Sequence, residues 1–74
     1  MIVASEVKIT TEFIKLDSAM KLSGEAAMGS DAKFFIQDGE VSVNGETELR
    51  RGRKLYPGDR FTFEGREYEI VKGL

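Results

Sequence analysis

Residues 39–59 read GEVSVNGETELRRGRKLYPGD, a stretch that combines a helix-ending glycine, a hairpin turn and a run of positive charge. Asn44-Gly45 follows a β-rich run and is a strong hairpin signal, because both positions of such a turn need a positive φ. Pro57-Gly58-Asp59 predicts a second turn, since proline presets φ and glycine accepts the left-handed conformation. The stretch therefore predicts a hairpin and a turn on either side of the charged run.

The charged run, called here the basic loop (residues 50–54), holds Arg50, Arg51, Arg53 and Lys54 around Gly52. The whole chain has a formal net charge of −2, and because this loop contributes +4, the other residues sum to −6. Phosphate groups attract lysine and arginine, and one arginine can bind two phosphate oxygens. The pattern indicates a polyanion-binding surface on an acidic body; the alternative is a loop that is merely solvated.

The composition limits the kinds of protein that this chain can be. Its 74 residues predict one small domain, which buries only about 60–65% of the surface of the unfolded chain. It contains no cysteine and no histidine, so disulfides are excluded, as are the commonest ligands for transition metals. No apolar run approaches the roughly 20 residues of a membrane span, and the start lacks the features of a secretory signal. A cytoplasmic setting is expected.

The first part of the chain predicts a strand followed by a helix. Residues 5–10 alternate, with Val7 and Ile9 on one side, which indicates a half-buried strand. The spacing then changes to the helical period, and a helix is predicted over residues 17–23, with Gly24 as its end.

A second helix is predicted over residues 31–38. Ser30 is a favoured N-cap residue, and Gly39 is a suitable helix end. The core side of this helix is predicted to consist of Ala32, Phe35 and Ile36.

The last part of the chain predicts two strands, over residues 60–64 with Phe61 and Phe63 on one face, and over residues 67–71. Glu64-Gly65-Arg66 is predicted to turn the chain between them. The complete pattern predicts an α+β fold, in which two short helices pack on a small, curved, mostly antiparallel sheet.

Catalysis has little support in the sequence. Glutamates recur at alternate positions, Glu46 with Glu48 and Glu67 with Glu69, and this spacing is typical of the wet face of a sheet. The serines and threonines have no histidine to activate them, and no glycine-rich phosphate loop joins a strand to a helix. The sequence therefore predicts a protein that is not an enzyme and has neither a cofactor nor a metal site.

Several separated motifs agree in their order with one family of RNA-binding domains. They are Lys15-Leu16-Asp17, Met20, Gly24, Ala32-Lys33-x-Phe35-Ile36, Gly39, Val41-x-Val43-Asn44-Gly45 and Pro57-Gly58-Asp59. This order resembles the S-four domain, first described in ribosomal small-subunit protein four, with its alpha-L motif. The resemblance covers residues 15–59 of the predicted single domain, residues 1–74. With the basic loop and the added strands, it looks closest to a free-standing bacterial subgroup, the YaaA/RlbA-like proteins, which has been linked to ribosome maturation.

The resemblance implies an RNA-binding surface made from both helices and the hairpin that follows them. Family positions that contact RNA correspond here to Lys15, Lys33, Asn44 and the basic loop. Two positions that are often basic in the family carry other residues here, Gly29 and Glu46. The helices thus bring less positive charge than usual, and the basic loop is expected to contribute more of the binding.

Two aromatic residues and Asn44 are open to two interpretations each. Phe34, beside Lys33, suits stacking on an unpaired base, although packing against a neighbouring loop is the favoured interpretation. Tyr56 flanks the basic loop, and it either contributes to the site or covers the core. Asn44 is explained by its turn geometry, with RNA contact as an addition.

The sequence thus predicts non-catalytic binding of structured RNA, expected to be ribosomal RNA or its precursor, in ribosome assembly or maturation. The protein is expected to be a monomer. The alternatives are a protein-interaction module that uses an exposed strand edge, and a protein that binds single-stranded DNA. The double variant Arg51→Glu with Arg53→Glu is predicted to lose RNA binding and to keep its thermal stability.

Overall fold

A computed structural model of the chain describes residues 4–73, so the first three residues and the last residue of the predicted domain lie outside the described range. Within that range the chain forms two helices and seven strands. In chain order they are β1 Ser5–Ile9, β2 Ile14–Lys15, α1 Leu16–Ser23, α2 Gly29–Gln37, β3 Val41–Val43, β4 Glu46–Thr47, β5 Lys54–Leu55, β6 Arg60–Phe63 and β7 Arg66–Lys72. The predicted α+β fold is confirmed.

The larger sheet has five strands in the order β1-β7-β6-β3-β4. Three of its four pairings are antiparallel, whereas β1 lies parallel to β7, from Ser5 opposite Tyr68 to Ile9 opposite Lys72. The sheet is therefore mixed and mostly antiparallel, as the sequence predicts. Alternation places Val7 and Ile9 correctly on the buried face, but it carries no information about the direction of the strand beside them.

The core lies between the buried face of this sheet and the two helices. Phe61 stacks on Tyr68 with 5.0 Å between ring centroids, and Phe35 of α2 packs on Phe63 at 4.8 Å. The completely buried helical side chains are Leu16, Ala19, Met20, Ala32 and Ile36.

The predicted helices, residues 17–23 and 31–38, lie within two residues of the observed ones, Leu16–Ser23 and Gly29–Gln37. Gly24 and Gly39 have φ of +88° and +81°, values that glycine adopts without strain. The start of α2 was predicted wrongly: the helix begins at Gly29, and Met28, not Ser30, is its N-cap. The reason is that the carbonyl of the extended residue Met28 accepts hydrogen bonds from the N–H groups of Asp31 and Ala32, and no side chain caps the helix.

The predicted hairpin joins β3 to β4, with Asn44 at φ 50° and Gly45 at φ 87°. The predicted turn between β6 and β7 is also present, with Glu64 at φ 51°. The Tyr56–Asp59 segment forms the third predicted turn, closed by a 2.9 Å hydrogen bond from the Asp59 N–H to the Tyr56 carbonyl.

The loop between the helices is fastened to β7 through Glu25. This carboxylate accepts hydrogen bonds from the guanidinium group of Arg66 and from the hydroxyl group of Tyr68. The hydrogen bonds from Arg66 lower the pKa of Glu25, because they favour its charged form. The helix pair is therefore attached to the sheet by an ionic contact in addition to the core.

A second, two-stranded sheet was not predicted from the sequence. Strands β2 and β5 pair antiparallel, with Ile14 opposite Leu55 and Lys15 opposite Lys54. Leu55 is completely buried and Ile14 packs against the core. A two-residue strand is too short to show a periodicity, so the pattern gave no signal for it.

Candidate nucleic-acid interface

The basic loop is held against the first turn of α1 by its own backbone. The N–H groups of Leu16 and Asp17 donate to the carbonyls of Arg53 and Arg51, at 2.9 and 3.1 Å. A further hydrogen bond of 3.2 Å from the Arg53 N–H to the Arg50 carbonyl closes the loop into a turn. These contacts satisfy helix donors that would otherwise lack a partner, because α1 has no side-chain cap. The loop therefore has a defined position at the start of the helix.

Glu48 lies beneath the loop and binds two of its four cations. Only 6% of this residue is exposed. Its carboxylate accepts hydrogen bonds from the backbone N–H and the Nε of Arg50, both at 3.0 Å, and from the Nη1 of Arg53 at 2.7 Å. The hydrogen bonds from Arg50, followed by that from Arg53, lower the pKa of Glu48 to about 2. The carboxylate is therefore charged under ordinary conditions.

The prediction that Glu48 shares a wet sheet face with Glu46 is wrong. Strand β4 ends at Thr47, so the alternation stops before residue 48 and the chain turns the Glu48 side chain inward. Glu46 is exposed, as predicted. The glutamates of β7 also differ from a simple wet face, because Arg60 binds Glu67 and Glu69 at 3.3 and 3.1 Å.

The contacts of Glu48 orient Arg50 and Arg53 without removing them from solvent. The side chain of Arg50 is 76% exposed and that of Arg53 is 35% exposed. A guanidinium group has five N–H donors, and the carboxylate leaves several of them free on each arginine. Together the three residues keep a net charge of +1. Glu48 thus fixes two arginines in place at the loss of one unit of positive charge.

The same contacts change one expectation from the sequence. In Arg53→Glu a second carboxylate would stand beside the buried Glu48, and the two negative charges would repel each other. The double variant Arg51→Glu with Arg53→Glu is therefore expected to lose stability as well as charge. Arg51 is exposed and forms no ion pair within residues 4–73, so it is the better position for a test.

Two lysines extend the positive surface beside the loop. Lys15 and Lys54 face each other across the two-stranded sheet, and both are exposed. Phe13 and Tyr56 flank the two strands, and their rings lie on the side that carries these lysines, since the Nζ of Lys54 lies over the Phe13 ring and the Tyr56 ring is next to it. Leu55, between Lys54 and Tyr56, is buried on the opposite side. We call this outward side the ribbon face: Phe13, Lys15, Lys54 and Tyr56.

The ribbon face brings aromatic rings and ammonium groups together. The rings of Phe13 and Tyr56 have centroids 5.8 Å apart and planes inclined at 49°. The Nζ of Lys54 lies 4.8 Å from the centroid of the Phe13 ring. Sequence reasoning did not single out Phe13; the alternation of aromatic and cationic residues at 13/15 and 54/56 is the signal that would have identified it.

Lys33 and Phe34 lie on α2. Both are exposed, and 63% of Phe34 is accessible to solvent. The Phe34 ring meets the edge of Phe35 at a centroid distance of 6.0 Å. No hydrogen bond or ion pair of the described chain links Lys33 to residues 50–54. Neither candidate therefore takes part in the contacts that hold the basic loop in place.

The side chain of Asn44 is occupied by contacts inside the protein. Its Oδ1 accepts the N–H of Arg60 at 3.0 Å, and its Nδ2 donates to the Oδ1 of Asp59 at 3.2 Å. The amide thus joins the hairpin turn to the turn that ends at Asp59. Asn44 therefore has two structural roles: it adopts the turn conformation expected from the sequence, and its side chain links the two turns.

Neither helix among residues 4–73 is long and apolar enough to cross a membrane. Over the same range, no three acidic, histidine or cysteine side chains are grouped so that they could hold a metal ion, and no pocket is present. The basic loop and the ribbon face are therefore the candidate ligand-binding surfaces.

Comparison with known proteins assigns this arrangement to a family. Residues 7–71 match the S4 domain family. The chain is similar to RlbA of Bacillus subtilis strain 168, a protein named as a probable ribosome maturation protein. The two are 45% identical over 62 residues, and the match covers 84% of this chain and 87% of RlbA. The chain is also similar to YbcJ of Escherichia coli strain K12, a protein provisionally named as RNA-binding, with 33% identity over 58 residues, 78% of this chain and 83% of the relative.

The fold has a counterpart among solved structures. The solution structure of YbcJ from E. coli superimposes with a TM-score of 0.71 and 28% sequence identity, and the match covers 96% of this chain and 91% of YbcJ. That structure is described as revealing an alfaL motif involved in RNA-binding. The resemblance recognised in the sequence is thereby confirmed, both for the family and for its alpha-L motif.

Proposed function

The chain belongs to the S4 domain family, and from this premise we propose that it binds structured RNA through the phosphates of the RNA backbone. The observation that carries the proposal is the position of the basic loop. Its carbonyls bind the start of α1, which presents Arg51 beside the exposed Lys15 and Lys54, while Glu48 orients Arg50 and Arg53. These five cations, whose backbone positions are set by the contacts of the loop and the strands, form a positive surface on a chain whose net charge is negative.

The chemistry of this surface suits a phosphate backbone better than base edges. Arginine donates paired N–H groups to phosphate oxygens, and lysine contributes a mobile positive charge. The deep, narrow major groove of an RNA double helix is closed to side chains, so recognition there depends mainly on shape and backbone contacts. Lys33 on α2 would supply a further, separate phosphate contact.

The RNA is proposed to be ribosomal RNA or its precursor, and the role to be a non-catalytic one in ribosome assembly or maturation. The names of the relatives support this choice, since RlbA is linked to ribosome maturation and YbcJ to RNA binding. A cytoplasmic location and a monomeric state are part of the same proposal.

The affinity for an RNA hairpin is expected to fall steeply with salt concentration. If three or four phosphates are neutralised, the logarithm of the association constant should change with the logarithm of the salt concentration with a slope of roughly −2 to −3. Fluorescence anisotropy of a labelled hairpin, titrated at several concentrations of potassium chloride, measures this slope. A slope near zero would contradict binding through phosphates.

The same titration separates the proposal from a protein-interaction module. Strand β1 lies at the edge of the five-stranded sheet and, among residues 4–73, has a partner on one side only, so this edge offers backbone groups to a further strand. Strand pairing depends little on salt, whereas phosphate binding depends strongly on it. Competition between RNA and single-stranded DNA of the same sequence tests the remaining alternative, because only RNA has 2′-hydroxyl groups.

Asn44→Ala is expected to lower the free energy of unfolding by about 1–2 kcal/mol, because it removes two hydrogen bonds and leaves alanine at a positive φ. The affinity for RNA should stay within about twofold, since the amide already binds Asp59 and Arg60. Urea denaturation and anisotropy measure the two quantities. Asn44→Gly, which accepts the same φ, is the control for the hydrogen bonds alone. A folded alanine variant with strongly weakened RNA binding would show that Asn44 contacts the ligand.

A further inference from the structure

We propose that the ribbon face binds one unpaired RNA base, which stacks on Tyr56 while Lys15 and Lys54 hold an adjoining phosphate. This inference rests on the proposed function and extends it, because it names the feature of the RNA that the protein selects. A surface of charges alone would bind any RNA backbone, whereas an aromatic ring binds only a base whose flat side is free.

The ribbon face is built by the pairing of β2 with β5. The pairs Ile14 with Leu55 and Lys15 with Lys54 are in register. Phe13 and Tyr56 lie just beyond the end of this ladder, before Ile14 and after Leu55, and their ring centroids are 5.8 Å apart. Leu55 faces the core and is completely buried, so the flanking positions 54 and 56 must face outward. The two rings are therefore placed beside the two ammonium groups by the geometry of the strands.

The distance between the rings decides where a base would lie. A base inserted between two rings needs about 6.8 Å between their planes, twice the stacking interval of about 3.4 Å. The centroids of Phe13 and Tyr56 are only 5.8 Å apart, and the planes are inclined at 49°, so there is no slot between them. The base must stack on the outer side of one ring. Tyr56 is 43% exposed and offers that side, while Phe13 is half-buried and supports the Tyr56 ring.

Tyr56 is fixed by contacts other than its ring. Its N–H donates to the Oδ2 of Asp59 at 2.8 Å, and its carbonyl accepts the N–H of Asp59 at 2.9 Å. The backbone of Tyr56 is thus part of a hydrogen-bonded turn, and Pro57 in this turn restricts the backbone further because its φ is fixed. A side chain whose backbone is already fixed loses less conformational entropy on binding than one on a mobile loop.

The lysines place a phosphate beside the stacked base. The Nζ of Lys54 lies 4.8 Å from the centroid of Phe13, on the outward side of the ribbon, and Lys15 is its neighbour across the strands. Neither lysine forms an ion pair within residues 4–73, so both remain available to an anion. Bases inside a duplex are covered on both sides, and the ligand is therefore a bulged, looped or otherwise unpaired nucleotide.

Two RNA probes test the inference: a blunt-ended duplex and the same duplex with one bulged nucleotide. The wild-type protein is expected to bind the bulged probe about tenfold more tightly, and Tyr56→Ala should abolish this preference while leaving the affinity for the blunt duplex unchanged. Tyr56→Phe should keep it, because the aromatic side remains. Leu22→Ala removes an apolar side chain of α1 that is 60% exposed and should also keep the preference.

Two further measurements make the result independent of folding defects. Tyr56→Leu keeps an apolar side chain without an aromatic ring, and it should lose the preference as Tyr56→Ala does. With 5-iodouridine as the bulged nucleotide, irradiation should crosslink the RNA to Tyr56 in the wild-type protein, as identified by mass spectrometry.

The outcomes distinguish this inference from the proposed function. If the wild-type protein binds both probes with the same affinity, or if Tyr56→Ala keeps the preference, stacking at the ribbon face is refuted and binding through phosphates stands. If the wild-type protein binds neither probe, the proposed function fails, and the stacking site fails with it.

Discussion

The double variant Lys15→Glu with Arg51→Glu is expected to bind an RNA hairpin about 100-fold more weakly than the wild-type protein. Each replacement removes one charge-assisted contact worth about 1.5 kcal/mol or more, and two such losses correspond to roughly this factor. The new carboxylates also repel the phosphates, so the estimate is a lower bound. Anisotropy titration at constant salt concentration measures the change, and the slope against salt should become flatter by about 2.

Thermal stability should not fall in this variant. Both side chains are exposed, and neither forms an ion pair within residues 4–73. Lys15 is the N-cap of α1, where a positive charge is unfavourable to the helix dipole, so a glutamate there should add about 0.3–1 kcal/mol to the stability. A positive side chain at this position contributes nothing to the fold that we can identify, which agrees with a role in binding.

A charge-matched control separates the surface from the overall charge. Lys8→Glu with Lys21→Glu makes the same change in net charge on β1 and in the last turn of α1. This control should retain most of the affinity. If both double variants weaken binding equally, the protein attracts RNA only through its total charge, and the proposed surface is wrong.

Glu48→Gln is expected to lower the free energy of unfolding by about 2 kcal/mol at neutral pH. The substitution keeps the shape of the side chain but removes the charge that binds Arg50 and Arg53, and hydrogen bonds to charged groups contribute about 1.5–3 kcal/mol. Both arginines can turn to solvent afterwards, which limits the loss. Urea denaturation followed by circular dichroism measures it.

The pH dependence gives a second test of Glu48. Its pKa falls from the usual 4.5 to about 2 in the folded protein, so the folded state favours the charged form. The stabilisation is therefore complete above pH 4.5 and is lost as the pH falls towards 2. The difference in stability between the wild-type protein and Glu48→Gln should shrink over this interval. Glu46→Gln, at an exposed neighbour, is the control and should show no deficit at neutral pH.

The sequence predicted those parts of the fold that depend on local chemistry. Asn44-Gly45 formed the hairpin because few other residues accept two positive φ values in succession. Gly24 and Gly39 followed the two helices because glycine accepts the positive φ found after each helix. The strand alternation of Phe61 with Phe63 was correct because both side chains lie on the buried side of β6, while Arg60 and Thr62 on the other side are less buried.

Contacts between segments that are distant in the sequence could not be predicted from the local pattern of apolar and polar residues. Glu48 looked like one member of an alternating pair, and nothing local shows that its strand stops at Thr47. The pairing of β2 with β5 joins residues about 40 positions apart through two-residue strands. The N-cap of α2 was mispredicted because propensity favours Ser30, whereas the extended backbone of Met28 supplies the first acceptor.

In the candidate site, too, the residue types were predictable from the sequence, whereas the contacts between distant residues were not. The sequence identified which residues are positive, and the structure shows that they differ in role. Arg51, Lys15 and Lys54 are free of ion pairs within residues 4–73, while Arg50 and Arg53 are held by Glu48. Phe13 was missed because its importance arises only from the partner strand that places it beside Tyr56. The contacts of these residues with RNA stay predictions.

The parallel pairing of β1 with β7 has a consequence for the way the chain is made. Ser5 pairs with Tyr68 and Ile9 with Lys72; β1 is synthesised before β2–β7 and, within residues 4–73, pairs only with β7. Until residue 72 has emerged, the apolar side chains of Val7 and Ile9 lack the neighbour that covers them in the sheet. Folding of this domain is therefore completed after translation has passed its final strand, and a nascent chain stalled before that point carries an open strand edge prone to association.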